Sequence, residues 1–397
     1  MRNKKGISLI VLIITIIVVI ILASIVILTL TKTNPIESAK EATFKDDIRT
    51  IQNELLMYLS KEYENNPNTF DKKSVNLKGN NMVDILPSSK KYIQKVKVKN
   101  GELVYIGDDE KEINWIESIN VKKSTIPKEW KAYIDDITDD GVPIPKGFTY
   151  LTGTKQTGTV IEDSNHNEFV WIPVDTYSDY QKNLDYPNNY GPTELNTVDC
   201  SLPGGLTDES LDVKKYKGFY IGRFETTIAD ENGKPTCKKG NNLWTSIDYA
   251  NSKTNAEIMY MWSSGSSVQS GLLTGKAWDT TCNWISDYKI KVNGVEEKIS
   301  LTDSRKYGNY SDSEAPANIG DRSTKIAGVN ENCITKNIYD LAGNLWEWTN
   351  EKYISNWIVR GGFSGNGGNI FPVCYRLQHY LADSSRGFRI RLYIKTN

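Results

Sequence analysis

The hydrophobic pattern divides the chain into three textures. Residues 7 to 30, ISLIVLIITIIVVIILASIVILTL, run twenty-four positions without a charge. At about 1.5 Å per residue, a helix of that length exceeds the roughly 30 Å of hydrocarbon in a bilayer. The run therefore predicts a single transmembrane helix. Arg2, Lys4 and Lys5 precede it, which keeps the N-terminus cytoplasmic and sends the rest of the chain outside the cell. A cleaved secretory signal has an apolar region of only about 7 to 15 residues, so this run is too long for one. Beyond Pro35 the period shortens to that of an amphipathic helix, with Ile48, Ile51, Leu55 and Leu59 at spacings of three and four. Residues 92 to 108 then alternate in period two around Asn100-Gly101, a hairpin signal. Lys95, Lys97 and Lys99 fall on one face of its first strand and read as solvated. Helix and hairpin together make a small stalk over 31–125. A linker rich in acid, Gly and Pro follows over 126–145.

The third texture fills 146–397. Short apolar runs such as FVWIPV (169–174) and FYIGRFETT (219–227) are separated by long connections of Gly, Asn and Ser. Eight of the ten tryptophans lie at or after Trp171, so this domain is expected to be held by buried aromatics rather than regular layers. One helix is expected around 246–262.

Composition narrows the function classes. The 397 residues are 39% hydrophobic and 24% charged, enough for a sizeable core, and the formal net charge of -1 argues against a nucleic-acid partner. With His166 and His379 the only histidines, a His-rich zinc site is excluded. The five cysteines show no CxxC spacing, and they read as buried small hydrophobes or as one disulfide with thiols left over.

The opening KKGISLI resembles a type IV prepilin leader, in which a basic segment ending in Gly is cut before the apolar helix. That resemblance implies processing between Gly6 and Ile7 and a capacity for pilin-like self-association. The acid that the family carries at the fifth mature position is Val11 here. A tether is therefore expected more than a fibre, with an uncleaved anchor and a minor pilin as the alternatives.

NIYDLAGNLWEWT (337–349) and VRGGFSGNGG…GFRIRL (359–392) resemble the hallmark segments of the formylglycine-generating enzyme family, the sulfatase-modifying-factor domain. FVWIPV, FYIGRFETT and LTGKAWDTTCNWI (273–285) add to the likeness in order. It implies an α+β fold class: a loop-rich, C-type-lectin-like domain behind a pilin-like helix and hairpin. Alternation places Trp346 and Trp348 on one strand face and Glu347 on the other, and a buried Glu347 needs a cation, an Arg (Arg360 or Arg389) or backbone amides. The resemblance implies structural calcium, held by the Asp340 and Glu347 side chains and the Gly343 and Leu345 carbonyls. Oxygen-only ligation on a turn suits that ion. Active members of the family oxidise a sulfatase cysteine through copper on two thiols. This chain has only Cys374 in the segment, with Asn366 nearest the other position, so copper and catalysis by that route are not expected.

What remains is a surface. Between Gly362 and Gly387, Asn366, Asn369, Phe371, Tyr375, His379 and Tyr380 mix rings with small polar neighbours, as paratopes do. The placement resembles the variable region of diversity-generating retroelement target proteins, which implies a displayed binding surface. An ordinary loop with buried aromatics is the alternative. The expected protein is thus a membrane-anchored extracellular module that binds a protein or glycan.

Overall fold

The computed structural model describes residues 13–24, 34–182, 190–193, 196–228, 233–263, 265–292, 294–314 and 323–396. Gly6 and Ile7 lie outside these residues. Of the expected span over 7–30, residues 13–24 are described, and they are helical with exposed apolar side chains. Among the described residues no helix is long and apolar enough to cross a membrane. The fold is mixed α+β, and the chain divides into two compact units, Met1–Lys128 and Glu129–Asn397.

The first unit is built on helix α1 (Pro35–Asn65), which starts where Asn34 caps the Glu37 amide and Pro35 supplies a preset first-turn φ. Its Phe44, Ile48, Ile51, Leu55 and Leu59 are buried. They pack with Met82, Leu86, Val96, Val98 and Tyr105 in one cluster. Strands β1 (Val96–Lys99) and β2 (Glu102–Tyr105) pair in register about Asn100 and Gly101, whose φ values of 53° and 68° give the left-handed turn that an Asn-Gly pair favours. Lys97 is not solvated as its alternation suggested: it is 7% exposed. The outer edge of β1 is itself covered, because Leu77 and Val98 exchange backbone hydrogen bonds there.

The second unit carries two sheets. The first is a six-stranded antiparallel sheet of β3 (Phe148–Thr152), β4 (Val160–Asp163), β5 (Glu168–Pro173), β7 (Gly218–Gly222), β8 (Val268–Leu272) and β13 (Ile390–Ile394), in the order β8-β13-β7-β5-β4-β3. The C-terminal strand thus lies between elements far earlier in the chain. Helix α3 (Gly275–Ile285), capped by Thr274 on the Ala277 amide, buries Ala277, Trp278, Cys282 and Ile285. They pack in one cluster with Val170, Ile172, Phe219 and Ile221 of the sheet. Helix α2 (Tyr249–Met259) occupies the region where the sequence predicts one.

The second sheet holds the C-terminal motifs. Strand β9 (Trp346–Tyr353) runs antiparallel to β10 (Asn356–Arg360) and parallel to β12 (Arg386–Phe388). Strand β11 (Leu377–His379) joins the far side of β10, and β6 (Thr197–Asp199) pairs with the end of β9. The segment between Gly362 and Gly387 therefore leaves this sheet at β10 and returns to it twice.

Candidate binding site

Two arginines, one beside the Gly361-Gly362 pair and one inside the segment, fix the ground under it. Arg360, wholly buried at the end of β10, donates from Nη2 to Asp279 at 2.6 Å and from Nη1 to Glu351 at 3.0 Å. Arg376, inside the segment, reaches the same two acids: its Nη2 donates to the other Asp279 oxygen and its Nε to Glu351 Oε2 at 3.3 Å. Two cations and two carboxylates thus close a ring joining α3, β9, β10 and the segment. Burial alone would raise the Glu351 carboxyl, but Arg360 and Arg376 outweigh it and hold it down at about 2. Arg360 also donates to the carbonyls of Tyr375 (3.0 Å) and Cys374 (3.2 Å), gripping the segment by its backbone.

Further pins repeat the theme. Trp278 Nε1 donates to the Val373 carbonyl at 3.0 Å, and the Val373 amide donates to Ser304 Oγ at 3.0 Å. The Gly368 amide donates to Asp312 at 2.7 Å, and its carbonyl accepts from the Ser304 amide. Ser311 donates twice to the Asn366 carbonyl, while the Arg376 amide donates to the Tyr190 carbonyl. On the segment's side, every one of these is a main-chain atom.

The expected binding residues separate under this scaffold. Asn369 and Tyr380 are exposed, Tyr380 to 71%. Phe371 and Tyr375 are half-buried, 4.9 Å apart, and both lean on Trp346. His379 is half-buried, stacks on Tyr380 and packs edge-on to Trp348. Desolvation, then the neighbouring Arg386, lowers its pKa. Asn366 builds the turn instead, its side chain accepting from the Phe363 amide. Ile370 and Leu381 are 59% and 56% exposed and extend the apolar surface. No periodicity singles them out, and only their place within the same segment could have pointed to them.

Glu347 resolves differently from the calcium expectation. Arg389 donates to both of its oxygens, at 2.6 to 3.1 Å, and also to the carbonyls of Gly222 and Tyr339. Glu225, which the sequence did not single out, accepts from the Leu345 amide and the Asn344 side chain. Gly343 has φ +79° and lies so close to Asn309 that a Cβ would meet its carbonyl oxygen at 2.2 Å, so its role is conformational. Both Asp340 oxygens are buried without a hydrogen-bond partner among the described residues. Burial, opposed by Arg389 and reinforced by Glu347, pushes Asp340 up to about 7. The four residues do not fit the expected ion as a set, because Glu347 is committed to Arg389 and a metal at Asp340 would face that guanidinium. Among the described residues, no group of three or more His, Cys, Asp or Glu side chains is arranged to hold a metal. Cys374 is buried, which pushes its thiol up to about 12, and no disulfide occurs among the described residues.

No family model and no curated protein matches the chain. Among solved structures, the Treponema denticola variable protein 1 is similar at 13% identity and a TM-score of 0.23, covering 64% of this chain and 96% of that one.

Two outcomes follow from the charge arrangement. Arg360→Met should cost about 3–5 kcal/mol in urea unfolding, because it strands Asp279 and Glu351 opposite a single arginine; a loss below about 1 kcal/mol would contradict the ring. Asp340 has a folded pKa above its unfolded value of 3.8, so its contribution is fully present below that value and is lost as pH rises through about 7. Asp340→Asn should therefore flatten the fall in stability across that window, read as the melting temperature at a series of pH values.

Proposed function

We propose that the chain is a membrane-tethered extracellular recognition module whose 362–387 segment displays a binding surface for a protein or glycan. In this reading the apolar run over 7–30 is the tether and its N-terminus is cytoplasmic. The lectin-like, formylglycine-generating-enzyme-like scaffold serves display rather than oxidation. One observation carries it: the segment is pinned through the main-chain atoms of Asn366, Gly368, Val373, Cys374, Tyr375 and Arg376, while Asn369, Ile370, Tyr380 and Leu381 project outward. Exposed apolar side chains on a backbone held this firmly cost little ordering entropy when a partner arrives. The single cysteine of the segment, Cys374, with its thiol held protonated by burial, favours display over a copper oxidase.

The test is a screen of the detergent-solubilised chain against arrays of cell-surface proteins and glycans. Tyr380→Ser with Leu381→Ser should abolish whatever binding is found and shift the melting temperature by less than about 2 °C, as surface changes do. An absence of ligands, or binding indifferent to both changes, would remove the reading.

A further inference from the structure

Beside the arginine ring lies a lysine that the binding reading does not use. Lys182 has a side chain only 9% exposed, and its Nζ lies 3.7 Å from Asp199 Oδ2 and 3.5 Å from Glu351 Oε2. Asp199 and Glu351 are direct cross-strand partners of β6 and β9, so the sheet itself sets their spacing. The Asp199 side chain is 15% exposed, and that of Glu351 is fully buried. Nζ also donates to the Thr197 carbonyl at 3.2 Å and to Thr197 Oγ1 at 3.1 Å. Those two acceptors satisfy both hydrogens of a neutral amine, and they leave its lone pair for the neighbouring carboxyl.

Glu351 already accepts from two arginines, so Asp199 is the carboxyl left for Lys182 to engage. Burial first, then Glu209 and Glu351 against the opposing Lys182, raises Asp199 to about 7. Gly275 donates its amide to Asp199 Oδ1 at 2.7 Å, which fixes the carboxyl and polarises it. A Cβ at Gly275 would lie 2.5 Å from the Glu351 carboxyl and 2.6 Å from Lys182 Cε, so the glycine is what lets these groups meet.

We propose that Lys182 and Asp199 join as an intramolecular isopeptide bond. A proton passes from the ammonium to the Asp199 carboxylate, giving amine and acid. The Nζ lone pair attacks Cγ, and a C–N bond forms. The proton released from the new C–N centre passes to the departing hydroxyl. The C–O bond breaks and one water leaves, with no oxidant or other reactant consumed. Holding amine and acid in a dry, fixed array replaces the activation that such a condensation otherwise needs. The water has an exit, because Lys182 also lines a polar cleft of about 1020 Å³ with Thr280, Asn283, Trp284 and Lys336. The product would tie Lys182 covalently to β6, which pairs with the strand that carries Glu351.

The experiment is peptide mass spectrometry of the full chain purified in detergent and digested with trypsin under denaturing conditions. The expected result is one branched peptide joining the Lys182 and Asp199 segments, lighter by one water than their sum, with no cleavage after Lys182. Lys182→Arg and Asp199→Ala should each restore linear peptides and lower the melting temperature. Recovery of the unmodified linear peptides from folded wild-type protein would overturn the proposal, whatever the variants do. A water loss mapped within the Asp199 peptide alone would overturn it equally, by assigning the loss to a cyclic imide.

Discussion

The second unit depends on the closed ring of Arg360, Asp279, Arg376 and Glu351. Each charge in it is buried, and an ion withdrawn from water is costly unless its partners replace the lost solvation. Here two cations face two carboxylates, each acid touching both arginines, and the remaining Arg360 donors go to backbone carbonyls. The value of such a ring lies in geometry more than in net energy. It admits few arrangements, and each of its four members comes from a different part of the chain.

That logic suits a unit whose regular structure is sparse. Long connections cannot be fixed by ladders, so they are fixed by fully buried polar side chains that reach several elements at once. Arg389 spans Glu347 and the carbonyls of Gly222 and Tyr339. Arg391 spans Asp212 and the Glu209 carbonyl, and Trp348 reaches the Ile247 carbonyl. Where the grip falls on main-chain atoms, the side chains between the grips are released from structural duty. This is the condition a binding surface needs: a rigid backbone with unconstrained chemistry upon it.

Local signals in the sequence were legible where local physics decides. The 48-51-55-59 stripe and the Asn-Gly turn follow from a period and a dihedral preference, and each is present. Alternation also placed Trp346 and Trp348 together, against Phe371 and His379 respectively. Partners distant in sequence were not legible. Nothing near Glu347 distinguishes Arg389 from Arg360 or a cation, since the choice is made by how β10 and β12 flank β9. Asp279, Glu351 and Arg376 look like ordinary charged residues until α3 and β9 bring them together. Lys97 misled because alternation reports the face of a strand and says nothing of what covers that face.

The central claim is that the 362–387 segment is held by its backbone and the buried Arg376 side chain, and that its exposed side chains are dispensable to that hold. Hydrogen exchange at the amides of Gly368, Val373 and Arg376 tests it most directly, measured in the wild-type chain and after Ile370, Tyr380 and Leu381 are all replaced by Ser. The account predicts protection close to that of strands β9 and β10 in both proteins. Exchange at the rate of an open loop in either, or protection lost on replacing the side chains, would contradict it.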